Sequence, residues 1–393
     1  MALSLSVPSG SFHLAGNPLW VRVDGASQPA GSTLYKVLLK IESVDAEIIG
    51  GPFVDGKAPV AGTAWFDVSG YVNQPFQKNF DWPLHGGFGP HTNDTHTVTF
   101  QPGEMYIDGE DNLVENWGTA SDSYFVVNGG IGPRRVGDYN DRGTTFYQDF
   151  VVGGKFLTWM PNPQVVHPWQ PIKLWMLAAE GREIMLHIKT YFEDGTTWEW
   201  INPHGLYKDI MHEINCLPYH SGWENMPPVK PDGTRQTHYQ VWIEGVTEKR
   251  TFVLDHDYHE NTNFLLALNS LGGVDVVWLN GEVVTGFDTS VVEATRPFPR
   301  EGTRKERTVI VASRTGRRTW RINSGWKSRT EIRALEDLLL SKQVWLLEDA
   351  GAYNSGTLYP VNIANSSTPL TNTMNDLQSV TIELAEAHDS QYI

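Results

Sequence analysis

What most narrows the fold of this chain is a recurring pattern of short runs. Apolar and polar residues alternate in them, or β-branched residues dominate, and each run is closed by a cluster of turn-forming residues. PLWVRVD ending at Asp24, LYKVLLKIES from Leu34, AGTAWFDVS around Trp65 and THTVTF ending at Phe100 all follow it. A period of two places one set of side chains against a core and the other in water, and closely spaced turns join such strands side by side. The pattern predicts antiparallel sandwiches rather than βαβ units. A second group carries the same signature: SDSYFVVNGG from Ser121, FLTWMP, PIKLWMLAA, REIMLHIKTYF and TTWEWINP, with EDGT at Glu193–Thr196 as a hairpin turn.

Two turn-rich stretches punctuate these runs. Asn79 to Asp94 is rich in Gly, Pro and His and reads as a long surface loop, the kind of segment that carries partner contacts. Cys216 to Gln236 crowds Pro, Gly and polar residues together and marks a linker. Beyond it, THYQVWIEG and KRTFVLDHD form one expected strand pair, and NFLLALN with VVWLNGEVV another around Gly272 and Gly273. One helix is expected, Ser328–Gln343. Ser328 and Glu331 make an S-x-x-E capping box, and Ile332, Leu335, Leu338 and Leu339 share a face. Strands VWLLED, LYPVNIA and SVTIELAEA follow.

The expected class is therefore mainly β, with two or more antiparallel β-sandwich-like domains and one C-terminal helix packed on a sheet. Residues 1–120 form an N-terminal β-domain and 121–220 a second one or a continuation of the first lobe. Residues 236–393 form a C-terminal β-domain with the helix at 328–343.

Composition bounds the function classes. A length of 393 residues suits two or three cores, and 15 Trp, 14 Tyr and 16 Phe exclude disorder. Cys216 is the single cysteine, which excludes an intrachain disulfide and thiolate-based zinc sites and suits a reducing cytoplasm. The opening MALSLSVPSGSFHL has neither a basic leader nor a long apolar run, so synthesis without a secretory signal or membrane span is expected. A net charge of −16 argues against a general nucleic-acid binder, yet it is unevenly distributed. Residues 296–333 hold twelve basic side chains against Glu301, Glu306 and Glu331, a local +9 that leaves −25 for the rest. Within that segment Arg304, Lys305, Arg307, Arg314, Arg317 and Arg318 form a candidate inter-subunit patch, because complementary faces on one protomer steer self-association. Scattered charge on a solvated strand pair is the plainer reading.

Candidate chemistry is thin. His85, His91 and His96 lie near Asp94, and His256, Asp257, His259 and Glu260 lie close together, but neither cluster has a zinc-ligand spacing. His212 and Glu213 fail the HExxH pattern at Cys216. Asp108, Glu110 and Asp111 are explained by a DG turn as well as by a cation. Trp198 and Trp200 share one strand face and, with Trp223, form a candidate glycan platform if that face meets solvent, or core packing if it does not. No catalytic residue, metal or cofactor is expected.

Several strings together resemble tail proteins of phages and prophages of Bacteroidota: NPLWVRVDG with WFDVSGYV, and FLTWMPNPQVVHPWQPIKLWML with YFEDGTTW. FLLALNSLGGVDVVWLNGE and INSGWKSRTEIRALEDLLLSKQVWLLED, with YPVNIANSS and SVTIELAEA, complete the likeness. Val274 and Trp278 depart from the aromatics usual in that hairpin. The resemblance implies a non-enzymatic virion structural protein of the distal-tail or baseplate type, made in the host cytoplasm. Its partners would be copies of itself in a ring, other tail proteins of the tube, hub or fibre, and host surface glycan. DNA would be met only as it passes through a channel. From another class, a carbohydrate-binding β-sandwich module is the alternative.

Overall fold

The computed structural model describes residues 3–7, 12–43, 52–73, 87–91, 94–132, 144–178, 180–208, 210–216, 229–230, 232–259, 261–295, 309–348, 357–365, 377–388 and 390–392. It is mainly β, built from several antiparallel sheets that enclose separate cores.

The N-terminal lobe is a sandwich. Strands β1 (Ser4–Ser6), β3 (Trp20–Asp24) and β6 (Thr63–Asp67) make a three-stranded sheet. It faces a larger sheet of β2 (Phe12–Leu14), β4 (Thr33–Ser43), β5 (Phe53–Lys57), β8 (Thr95–Ile107), β9 (Leu113–Trp117) and β10 (Tyr124–Val127). The period-two reading holds side chain by side chain: Val21 and Val23 of β3 and Ala64 and Phe66 of β6 are buried against Val37, Leu39, Ile41 and Phe100. The lobe runs on to Val127, into the stretch from residue 121 that reads as a second domain or a continuation of the first lobe, because β10 pairs with β8. Within WFDVSGYV the strand ends at Asp67 and a short helix, α1 (Ser69–Val72), turns Val72 into the core.

In the middle lobe a five-stranded sheet covers a three-stranded one. The first holds β11 (Gln164–Val166), β13 (Arg182–Phe192), β14 (Thr197–Leu206), β16 (Gln236–Ile243) and β17 (Arg250–Leu254). The second holds β7 (Gly87–His91), β12 (Ile172–Leu177) and β15 (Met211–Cys216). Two expectations are corrected here. Gly87–His91, read as loop, is a strand laid against β15, where its backbone groups find partners that its Gly and Pro content did not advertise. The linker placed before Gln236 does not separate sheets, since β16 pairs with β13 from Leu186 to Phe192, so the middle lobe continues to Leu254. The EDGT turn is present, with Gly195 at φ 77° and Asp194 accepting from the Thr196 amide.

The C-terminal lobe is one large sheet. It is built from β18 (Asn263–Leu268), β19 (Val274–Leu279), β20 (Val283–Thr295), β21 (Val309–Asn323), β23 (Val344–Glu348), β24 (Thr357–Ile363), β26 (Thr381–Glu386) and β27 (Ser390–Tyr392). A small pair, β22 (Lys327–Ser328) and β25 (Leu377–Gln378), leads into α2 (Arg329–Leu339). Both halves of the capping box at Ser328 and Glu331 form. Ile332, Leu335 and Leu338 then pack on one face of the sheet against Leu265, Val277 and Leu346. The helix stops at Leu339, short of the expected Gln343.

The other face of β18 and β19 meets the middle lobe. Phe264, Leu266, Val274, Val276 and Trp278 share a core with Trp175 and Leu177 of β12 and with Phe150 and Val151 of a π-helical turn at Tyr147–Val152. A hairpin covered on both faces is buried at every position, which is why VDVVWL shows no alternation, and its one charged residue, Asp275, is hydrogen-bonded inside.

Candidate functional site

The least supported part of the fold is the ribbon of β20 and β21. They pair from Val283↔Ile322 to Thr295↔Val309, with a register shift beside Val292. On the sheet side, β26 supports β21 only over Thr319–Asn323, and β27 adds contacts at Arg314–Gly316. Past that β27 contact, which lies opposite Thr289–Val291, the strands pair only with each other among the described residues. Their side chains meet solvent on both faces: Phe287 is 57 % exposed and Val292 58 %, and Val291, Ile310 and Val311 are exposed as well.

A two-stranded ribbon is marginal by itself in water. Here Phe287 lies across Gly316, whose missing Cβ leaves room for the ring. β20 ends the sheet, so among the described residues one row of its N–H and C=O groups faces no strand. Neither Lys nor Pro interrupts it between Val283 and Thr295.

Three of the basic residues singled out from the sequence lie on this ribbon. Arg318 is held back toward the sheet, donating to the Tyr359 hydroxyl at 3.0 Å. Arg314 faces Val291 across the ribbon and Arg317 faces Asp288. Among the described residues neither Arg314 nor Arg317 has an ion-pair partner. Arg304, Lys305 and Arg307 lie outside the described residues, as do His85, Trp223 and Glu260.

The other candidates resolve into structure. Trp198 and Trp200 are half-buried on the middle core, on the inner face of β14, so the pair does not present a platform to solvent. Asp108 accepts from the Glu110 and Asn112 amides in the turn joining β8 to β9, and these bonds hold its carboxyl below the usual range. His96 and Asp94 are buried beside β10, and His212 is buried in β15, where its Nε2 meets the Tyr207 backbone. His259 contacts Asp255 at 3.2 Å and stands edge-on to Trp278, while His256 meets the Gln236 carbonyl. Burial beside these imidazoles pushes His167 down to about 4. A cleft of about 300 Å³ opens beside the π-helical turn, with Phe150, Met176 and Val246 in its lining. The cations in its lining are engaged, Lys155 with Asp149 and Arg182 with the Gly245 carbonyl.

What the sequence did not reveal is how the lobes are joined. Gly130 donates to the Ser270 carbonyl at 2.7 Å, and Gly16 donates to the Gly129 carbonyl. A Cβ on Gly272 would overlap the Asn128 carbonyl oxygen. Behind this backbone-to-backbone seam lies a polar knot. Asp275 accepts from Thr158 at 2.5 Å and from Asn269 at 3.0 Å, and Asn269 accepts from the Leu271 and Gly273 amides. Burial pushes the Asp275 carboxyl up to about 6. The seam fixes the root of the sheet that carries the ribbon.

No protein-family model matches this chain, and no curated protein matches it either.

Proposed function

We propose that this chain is a non-enzymatic structural subunit that associates with copies of itself through the β20–β21 ribbon, as a component of a phage tail tip or baseplate. The observation that carries this reading is the ribbon itself, which exposes apolar side chains such as Phe287, Val291 and Val292 and, among the described residues, has no strand paired along its outer edge. Exposed apolar surface of this extent stabilises a molecule only when something covers it, and a free strand edge is a template for another chain. Charge favours a second copy as that chain, because Arg314 and Arg317 would meet a protein that is strongly acidic away from this segment. A ring follows if the contact is heterologous and its rotation closes. The resemblance of the strand strings to Bacteroidota phage tail proteins points to a virion as its setting, with tube, hub or fibre proteins as neighbours.

Sedimentation of the purified protein at low and high salt, with electron microscopy of the low-salt sample, tests the reading. Oligomers with rotational symmetry are expected, shifting toward monomer as salt rises. Charge-introducing changes at Phe287→Asp and Val291→Asp abolish them. A chain that stays monomeric at high concentration in low salt overturns the proposal.

A further inference from the structure

The N-terminal sandwich presents a second unexplained surface. β1, β3 and β6 bury every other side chain, and the remaining ones form three rungs on the outer face. Ser4, Asp24 and Thr63 make the first, Ser6, Arg22 and Trp65 the second, and Trp20 and Asp67 the third. Trp20 is 46 % exposed and Trp65 51 %. These indoles stand diagonally across adjacent strands, a separation of roughly 7–8 Å at the backbone. Neither indole N–H has an acceptor among the described residues.

The groups around them are built to hydrogen-bond. The Arg22 guanidinium lies 5.6 Å from the centre of the Trp65 ring and pairs with Asp24, which also accepts from Thr63 at 2.7 Å. One Asp67 oxygen accepts from the Ser69 amide and hydroxyl, which fixes the carboxylate beside Trp20. No aliphatic side chain stands on these rungs, so each indole is an isolated flat apolar plate set among polar groups.

From this arrangement we infer that the outer face of β1, β3 and β6 binds a carbohydrate chain, with Trp20 and Trp65 stacking on sugar rings and Asp24, Asp67 and Arg22 bonding hydroxyls. The alternation decides the ligand class. A pyranose offers C–H faces that cover an indole and, around its rim, hydroxyls that both donate and accept. A protein partner with an apolar interface would bury the Arg22–Asp24 pair and the Asp67 carboxylate away from water, leaving their remaining donors and lone pairs unmet, whereas sugar hydroxyls satisfy them. Phosphate-bearing polymers are disfavoured by the two carboxylates. The flat, open sheet suits an extended glycan rather than a small enclosed molecule. This face shares no residue with the ribbon, so it stands or falls separately from the assembly reading.

The test uses the full chain and its intrinsic fluorescence, titrated with soluble hexaoses of the gluco, xylo, manno and N-acetylglucosamine series, together with a printed array of bacterial surface polysaccharides. Saturable binding to at least one glycan is expected, weakened tenfold or more by Trp20→Ala and by Trp65→Ala. Trp198→Phe, inside the middle core, leaves it unchanged. Both alanine variants keep the wild-type melting temperature, since the indoles lie outside the core. Silence across all probes overturns the inference, as does binding that survives both alanine changes. Variants that alter the sedimentation profile without altering glycan binding overturn it too, because the face would then be a protein contact.

Discussion

Gly272 has a φ of 87°, and a Cβ placed on it would overlap the Asn128 carbonyl oxygen. A side chain there meets both penalties at once: a left-handed backbone that L-residues resist, and a neighbour that is main chain and cannot swing away. Gly272→Ala is expected to cost roughly 3 kcal/mol or more, read as a loss in denaturant midpoint, whereas Gly195→Ala, in an open turn, costs about 1 kcal/mol. Asp275 gives a pH signature. Its folded carboxyl titrates near 6, above its ordinary 3.8, so the unfolded chain loses this proton first. The contribution is present in full below the unfolded value and is lost as pH rises through about 6. Melting curves of wild type and Asp275→Asn from pH 3.5 to 7.5 should therefore shift relative to each other in the variant's favour, by about 3 kcal/mol across the range. His167 slopes the other way: its folded value is depressed, so its contribution is present above 6.5 and fades as pH falls toward 4. His167→Gln removes that slope.

At the scale of elements, α2 was legible because its signals are local. The capping box, the spacing of Ile332, Leu335 and Leu338, and the Gly-free interior all lie within one short window, and Ser328→Ala is expected to cost about 1 kcal/mol of stability. The β18–β19 hairpin was legible for the same reason. What stayed hidden depends on partners distant in sequence. Gly87–His91 carries the composition of a loop and becomes a strand because β15 supplies a ladder. The pair β16–β17 looked like the start of a new domain, but β13 lies about fifty residues back and claims it. Trp198 and Trp200 showed their shared face but not its direction, because alternation alone does not say which side a second sheet covers. Trp20 and Trp65 read as two more strand aromatics, and only pairing β3 with β6 puts both on the wet face. The glycine seam gave one faint sign, two Gly-Gly pairs at 129–130 and 272–273, with nothing to say they would meet.

For the whole molecule, the three lobes are not strung in sequence order, since β7 leaves the N-terminal part of the chain to complete the middle sandwich. A cut between the first two lobes would therefore strip a strand from the second. Limited proteolysis is expected to leave a single core resistant across the 129–130 and 270–272 seam rather than three independent fragments. Charge reversal at Arg314→Glu with Arg317→Glu should leave the melting temperature within about 1 °C, because both side chains are exposed and have no ion-pair partner among the described residues, while weakening self-association at low salt. Sedimentation velocity separates these two effects.

The supports of β21 have a consequence for timing. Residues 381–386, which brace the ribbon's root, and 390–392, which pair with its middle, leave the ribosome about sixty residues after the ribbon itself. Until they emerge, β20 and β21 are a bare hairpin with no stable shape to offer. Nascent chains on one message, held close together, would thus carry the ribbon unbraced until this later stretch is made, and the adhesive element hardens only then.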